Sequence, residues 1–145
     1  MAEWAPWTSE GVMLFLVDKL GRLLLQHRDD RPDVLYPGHW AGFGGALEGA
    51  ESVEQALIRE MEEETGVVLA PGEATFFTKV IDPEANRLVH LAYLRRFVER
   101  SEIDLREGQG AAWCSRAEIA QMRITPFVRT VLDDQLFPLL QGRAG

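Results

Sequence analysis

The chain has 145 residues, of which 46% are hydrophobic, and a formal charge of −8. That length and apolar content predict a single domain over 1–145 with a sizeable core. The acidic balance argues against a general nucleic-acid or anionic-membrane binder, since both require a basic surface, but it leaves room for a small phosphorylated substrate at a metal-screened site.

The N-terminal MAEWAPWTSE has neither the basic n-region nor the apolar core of a signal peptide. No apolar run approaches the roughly 20 residues of a membrane span. Cys114, the single cysteine, has no internal disulfide partner and reads as a buried, inert thiol. A cytoplasmic protein is expected.

Gly11 to Asp18 (GVMLFLVD) predicts a buried strand, and Arg22 to Arg28 (RLLLQHR) a second, joined across Lys19–Gly21 as a hairpin. Asp29 to His39, with two prolines and a glycine, is a loop. Trp40 to Phe43 is a short strand leading into a Gly44–Gly45 turn. A helix follows, marked by Ser52 with Gln55 three residues on, a capping-box signature, and stopped by Gly66. Strands are expected at Ala74 to Ile81 and Arg87 to Val98 around a turn at Asp82–Asn86. Glu99 to Gly110 is a polar loop, Ala111 to Cys114 a short strand and Arg116 to Met122 a short helix. Pro126 opens a closing helix over Phe127 to Leu140. This order describes an α/β fold with a mixed sheet between helices, without specifying the sheet topology.

The helix after Ser52 ends against its own physics. Glu60, Glu63 and Glu64 crowd its last turns, Glu60 and Glu64 forming a like-charge i,i+4 pair that costs a few tenths of a kcal/mol. Anions there also oppose the helix dipole. At 100° per residue, Val53, Ala56, Leu57, Glu60 and Glu64 share one stripe with Glu63 at its edge, while Gln55, Arg59 and Glu62 lie opposite. The carboxylates are therefore aimed at a cleft, where a divalent cation would convert their repulsion into affinity. A solvated Glu-rich helix end is the plain alternative.

The residues around the helix run Gly45-x5-Glu51-x7-Arg59-Glu60-Met61-x-Glu63-Glu64-x-Gly66-Val67. This looks like the Nudix box and matches it at every fixed position, so the chain resembles a Nudix hydrolase. The resemblance implies a Nudix fold, an α/β/α sandwich with a mixed β-sheet, and hydrolysis of a nucleoside diphosphate linked to a further group, with Mg2+ or Mn2+ as cofactor and a small nucleotide as partner. Homodimers recur in the family, although nothing in this chain requires one. By the same resemblance Glu60 and Glu64 match the metal ligands. Glu63 matches a further ligand that is the general base in some members, and Arg59 the arginine that orients a neighbouring glutamate. For Arg59 a surface ion pair with Glu62 or Glu63 is the alternative. Glu51 matches an occasional ligand, and the carbonyl of Gly44 is a candidate ligand.

Glu107 heads EGQGAAW, which is similar to the segment of MutT-type nucleoside triphosphate pyrophosphohydrolases that supplies a distal ligand or base; an ordinary loop glutamate is the alternative. Arg28 is a candidate for a substrate phosphate, against an ion pair with Asp29 or Asp30. Trp40 and Phe43, with Trp4, Trp7 and Phe127, are candidates for stacking a base, against packing in the core. His27, His39 and His90 have no metal-ligand spacing. The expected function is MutT-like: a nucleoside triphosphate is split to monophosphate and pyrophosphate. Two rivals stand beside it. ADP-ribose or nucleotide-sugar hydrolysis would use Pro83, which also reads as part of a plain hairpin turn, and a non-catalytic nucleotide-sensing domain would bind without turnover.

Overall fold

The computed structural model describes residues 7–106 and 108–142. Its centre is β1 (Ser9–Val17), whose unbroken apolar run is buried on both faces. The side chains alternate. Met13, Phe15 and Val17 face one way, with Leu23, Leu25, Val89 and Leu91. Val12, Leu14 and Leu16 face the other, with Leu24 and Ala92.

The sheet grows outward from β1. β2 (Leu23–His27) returns antiparallel from the Val17–Leu23 pair. The Asp18 carboxylate closes that hairpin by accepting the amides of Leu20 and Arg22 at 3.0 and 2.8 Å. β3 (Trp40–Ala41) pairs with the far end of β2, and β4 (Phe43–Ala46) runs antiparallel to β1 over Gly11–Leu14. One edge of β1 is thus shared by β2 at its C-terminal end and β4 at its N-terminal half. β5 (Thr75–Asp82) and β6 (Arg87–Arg95) form an antiparallel hairpin, and β6 lies parallel to β1. β7 (Gly110–Cys114) pairs with β2. The sheet is mixed, as expected.

A helix covers each face. α1 (Val53–Thr65) packs Ala56, Leu57 and Met61 on the Val12, Leu14 and Phe43 side. Its capping box is formed as the sequence predicts: the Gln55 amide donates to Ser52 Oγ and the Gln55 side chain accepts from the Ser52 amide. Gly66 closes it at φ 79°. After the short α2 (Arg116–Ile119), α3 (Pro126–Val131) continues through a π-helical stretch at Leu132–Leu136 into α4 (Phe137–Gly142). Val128, Val131, Leu132, Leu136 and Phe137 fill the opposite face. The result is the expected α/β/α sandwich.

Several boundaries differ from expectation: α2 ends at Ile119 rather than Met122, the strand at Trp40 to Phe43 is broken at Gly42, and Asp82 still belongs to β5. Gly44 and Gly45 lie inside a strand rather than a turn, because β1 offers them a pairing edge. The strand expected to reach Val98 stops at Arg95, where β1 ends and no longer supplies a partner. Among the described residues no helix is long and apolar enough to cross a membrane.

Candidate active site

The acidic end of α1 lies over β4, and the site is built from that contact. Glu64 is 6% exposed and turned inward. Glu60 is mostly covered, with its carboxylate on the Cα of Gly45: a Cβ there would stand 2.6 Å from Glu60 Oε1. Glu63 is largely exposed, on a surface hollow it shares with Arg59, Glu62 and Arg106. This is the gradation the helical stripe predicts.

Arg59 is placed differently from that stripe. Its long side chain folds over the end of β4 instead of standing in solvent. Nε and Nη2 donate to the two oxygens of Glu51 at 2.6 and 2.9 Å. Nη2 also donates to the Ala46 carbonyl at 3.0 Å, and Nη1 to Glu60 Oε1 and Glu63 Oε2, both at 3.0 Å. Both readings of Arg59 are thus partly realised, since it pairs with Glu63 and also fixes Glu60 and Glu51. The bidentate bond from Arg59 holds the Glu51 carboxyl below the usual carboxylate range. Reciprocally, the Glu51 hydrogen bond is the largest influence raising the Arg59 pKa.

The donor chemistry fits a hard divalent cation, since carboxylate oxygens and the β4 backbone meet at one place and Gly45 leaves room for Glu60. Among the described residues, however, no three His, Cys, Asp or Glu side chains stand together as a ready-made metal cage. Two carboxylates about 4 Å apart repel by roughly 4 kcal/mol at an effective dielectric of 20, and Arg59 relieves this by drawing Glu60 and Glu63 to itself.

Beside the carboxylates opens a cleft of about 200 Å³. One part of its wall is Glu64 with Gly44 and Gly45. Another is Tyr36, Asp82, Thr125 and Phe127, with Arg28 also on the lining. Tyr36, at φ 50°, sends its hydroxyl to Asp82 Oδ1 at 2.5 Å. Burial first, then that bond, push the Tyr36 pKa up, so it remains a proton donor.

The model of the NUDIX domain matches residues 7–135. The chain belongs to the NUDIX family. A CTP pyrophosphohydrolase of Escherichia coli K12 is 30% identical over 115 residues, covering 79% of this chain and 82% of that protein. The nucleoside triphosphatase NudI of Escherichia coli O139:H28 is 45% identical over 56 residues, covering 39% of this chain and 38% of that protein. In structure, the MutT protein of Methanosarcina mazei Go1 superposes with a TM-score of 0.74 at 21% identity, over 91% of this chain and 95% of that one. The ORF135 protein of E. coli gives 0.69 at 28% identity, over 94% of each chain. The protein is therefore a Nudix hydrolase, an enzyme of diphosphate bonds, and Nudix hydrolases generally use a divalent metal.

The Nudix box candidates Arg59, Glu60, Glu63 and Glu64, with Gly44 just before the box, come together around β4 and the end of α1. Other candidates fare differently. Arg28 lines the cleft, with Nε donating to the Leu35 carbonyl at 2.7 Å rather than pairing with Asp29 or Asp30; Asp29 pairs with Arg31 instead. Phe43 is 1% exposed beneath α1, so it packs the core and presents no face to a base. Trp40 lies flat on His27, with ring centroids 4.4 Å apart, and is not part of the cleft lining. Phe127 is on that lining. Glu107 and Trp4 lie outside the described residues. His27 and His39 bond to backbone carbonyls and His90 to Glu10. Burial pushes the Cys114 thiol up to about 11, as befits an inert core residue. Pro83 sits in a turn whose Glu84 amide donates to Asp82 Oδ1 at 3.1 Å.

Sequence reasoning missed Tyr36, Asp82 and Thr125. For Asp82 a signal existed, the Asx-turn run Asp-Pro-Glu-Ala-Asn. Tyr36 and Thr125 carry no local mark.

Proposed function

We propose that this Nudix hydrolase splits a nucleoside triphosphate into the nucleoside monophosphate and pyrophosphate, using Mg2+ or Mn2+. The observation that carries the reading is one cleft lined both by Glu64 of the Nudix helix and by an aromatic and polar enclosure at Tyr36, Asp82, Thr125 and Phe127. At about 200 Å³ it is smaller than the ~300–1,000 Å³ of a pocket that surrounds a whole drug-sized ligand. It suits the nucleoside, leaving the phosphates at the carboxylates. The similarity to a CTP pyrophosphohydrolase over most of both chains supports a triphosphate and makes CTP the first substrate to try.

Glu60, Glu64 and the Gly44 carbonyl would hold the metal, with Glu63 beside them. Bound there, a divalent cation neutralises the diphosphate and lowers the pKa of water. The chain's own groups do the rest. Arg59 fixes Glu60 and Glu63 so that neither has to be ordered during the reaction. Glu63, exposed beside Arg59, accepts the proton of the attacking water. The water oxygen bonds to phosphorus in the α–β linkage as the bond to the leaving pyrophosphate breaks. Arg28 meets a phosphate, and Phe127 stacks on the base. Glu107 supplies a further carboxylate to the reaction centre, which Glu107→Gln tests by loss of turnover.

The deciding assay offers nucleoside triphosphates, ADP-ribose, nucleotide sugars and dinucleoside polyphosphates with Mg2+ or Mn2+ and with chelator. Pyrophosphate released from a triphosphate only with metal is the expected result. AMP and ribose phosphate from ADP-ribose, with triphosphates inert, would overturn it. Nucleotide binding with no turnover anywhere would replace it by the sensing function.

A further inference from the structure

Thr125 is 1% exposed, and its Oγ1 has no hydrogen-bond partner. A buried hydroxyl left unpaired is costly, and its place asks for an explanation. It is the N-cap residue of α3 by position, yet its side chain makes no capping bond. Its backbone is held rigidly, the amide donating to the Trp40 carbonyl at 3.0 Å and the carbonyl accepting from Arg129 at 3.0 Å. The residue stands on the wall of the cleft.

The same wall carries Asp82, 5% exposed. Its Oδ1 is committed to the Tyr36 hydroxyl and to the amides of Glu84 and Ala85. Oδ2 makes no hydrogen bond to the described residues, so the carboxylate keeps an acceptor. Phe127 supplies an aromatic surface next to Tyr36, with ring centroids 6.1 Å apart.

We propose that Asp82 and Thr125 read the base. The Asp82 carboxylate accepts an exocyclic amino N–H, and the Thr125 hydroxyl donates to the unprotonated ring nitrogen beside it. That edge, an amino group next to a bare ring nitrogen, is carried by cytosine and by adenine. Uracil and hypoxanthine present a carbonyl and a ring N–H instead, which would set a carbonyl oxygen against the carboxylate. An aspartate accepting from the cytosine amino group is a known base contact. Tyr36 is a positioning residue that acts through Asp82, orienting its carboxylate. The inference rests on the function proposed above and specifies its substrates.

The test compares kcat/KM for CTP with UTP and for ATP with ITP, pairs that differ only at this edge. In the wild type the amino base is preferred by about tenfold or more in at least one pair, and which pair tells cytosine from adenine. Asp82→Asn, which keeps an oxygen and adds an N–H donor, collapses or inverts that ratio. Tyr36→Phe weakens the ratio while leaving a preference. Thr125→Val, which removes no side-chain hydrogen bond within the protein, raises KM for the preferred nucleotide with kcat little changed. Equal use of both members of both pairs by the wild type would overturn the proposal, as would a ratio unchanged in a folded Asp82→Asn protein. Should Asp82→Asn fail to fold, an unchanged KM in Thr125→Val decides against it. If triphosphates are inert and other nucleoside diphosphate compounds are hydrolysed, the parent function fails. The cytidine–uridine comparison on those compounds then decides this inference separately.

Discussion

Gly44 and Gly45 are adjacent in β4, yet replacing them with alanine should give two different failures. Neither has a left-handed φ, so space alone decides the outcome. A Cβ on Gly44 would lie 1.8 Å from the carbonyl oxygen of Val12 and 2.8 Å from the Cα of Met13. Both belong to the backbone of the central strand, and nothing there can swing aside. Gly44→Ala therefore breaks the β1–β4 pairing and with it the fold. A Cβ on Gly45 would lie 2.6 Å from Glu60 Oε1 and 2.7 Å from Oε2. These are the ends of a flexible side chain, which relieves the clash by retreating to the 3.4 Å of ordinary contact, a shift of about 0.8 Å. That retreat pulls Glu60 off Arg59 Nη1, 3.0 Å away in the present structure. Displacements near 1 Å cost on the order of 100-fold in rate, equivalent to about 2.7 kcal/mol of barrier. Gly45→Ala should thus retain a cooperative melt within a few degrees of wild type and lose about two orders of magnitude in kcat/KM. Circular dichroism melts and metal-dependent pyrophosphate release measure the two quantities. A Gly45→Ala enzyme of normal activity would refute the placement of Glu60 in the site. One that unfolds as Gly44→Ala does would refute the claim that only the carboxylate is displaced.

Other consequences are equally direct. Glu63→Gln and Glu64→Gln each lower turnover by orders of magnitude while the protein stays folded; near-normal activity in both variants would sink the assignment of the site. Mg2+ at 100 times its Kd should add about 2.7 kcal/mol of stability, or roughly 5–10 °C in Tm for a chain of this size, reversed by chelator and absent if the carboxylates bind no cation. Because Arg59 depresses the Glu51 carboxyl in the folded state from its ordinary 4.5, its contribution to stability is complete above that value. It is lost as pH falls below it and through the lowered one. Glu51→Gln should therefore lower stability at neutral and alkaline pH, leave the acid end least changed, and so flatten the loss of stability in acid, which urea unfolding at a series of pH values would show.

Much of this protein is legible along the chain because the relevant physics is local. The capping box joins Ser52 to Gln55, and Gly66 supplies the left-handed stop, both within one helical turn of what they terminate. The run GVMLFLVD is apolar without alternation because both of its faces are covered, so a central strand declares itself. The carboxylates of the Nudix box are ordered by helical period alone, from buried Glu64 to exposed Glu63. What the period could not supply is the course of a long side chain. Arg59 belongs to the outer face by angle, but its guanidinium finds Glu51 and the Ala46 carbonyl, which α1 meets only once it has docked on β4.

Tertiary structure alone decided the glycines and the aromatic residues. Gly44 and Gly45 look like turn formers until β1 lies alongside them. Phe43 and Trp40 look available until α1 covers the one and His27 stacks on the other. The cleft wall is the clearest case. Tyr36 and Asp82 are 46 residues apart, and Thr125 comes from a third part of the chain. No local pattern links them, because their meeting is a property of how the sheet hairpin, the long loop and the closing helix pack. The Nudix box thus announces the chemistry from sequence, whereas the groups on the cleft wall are assembled only by the fold.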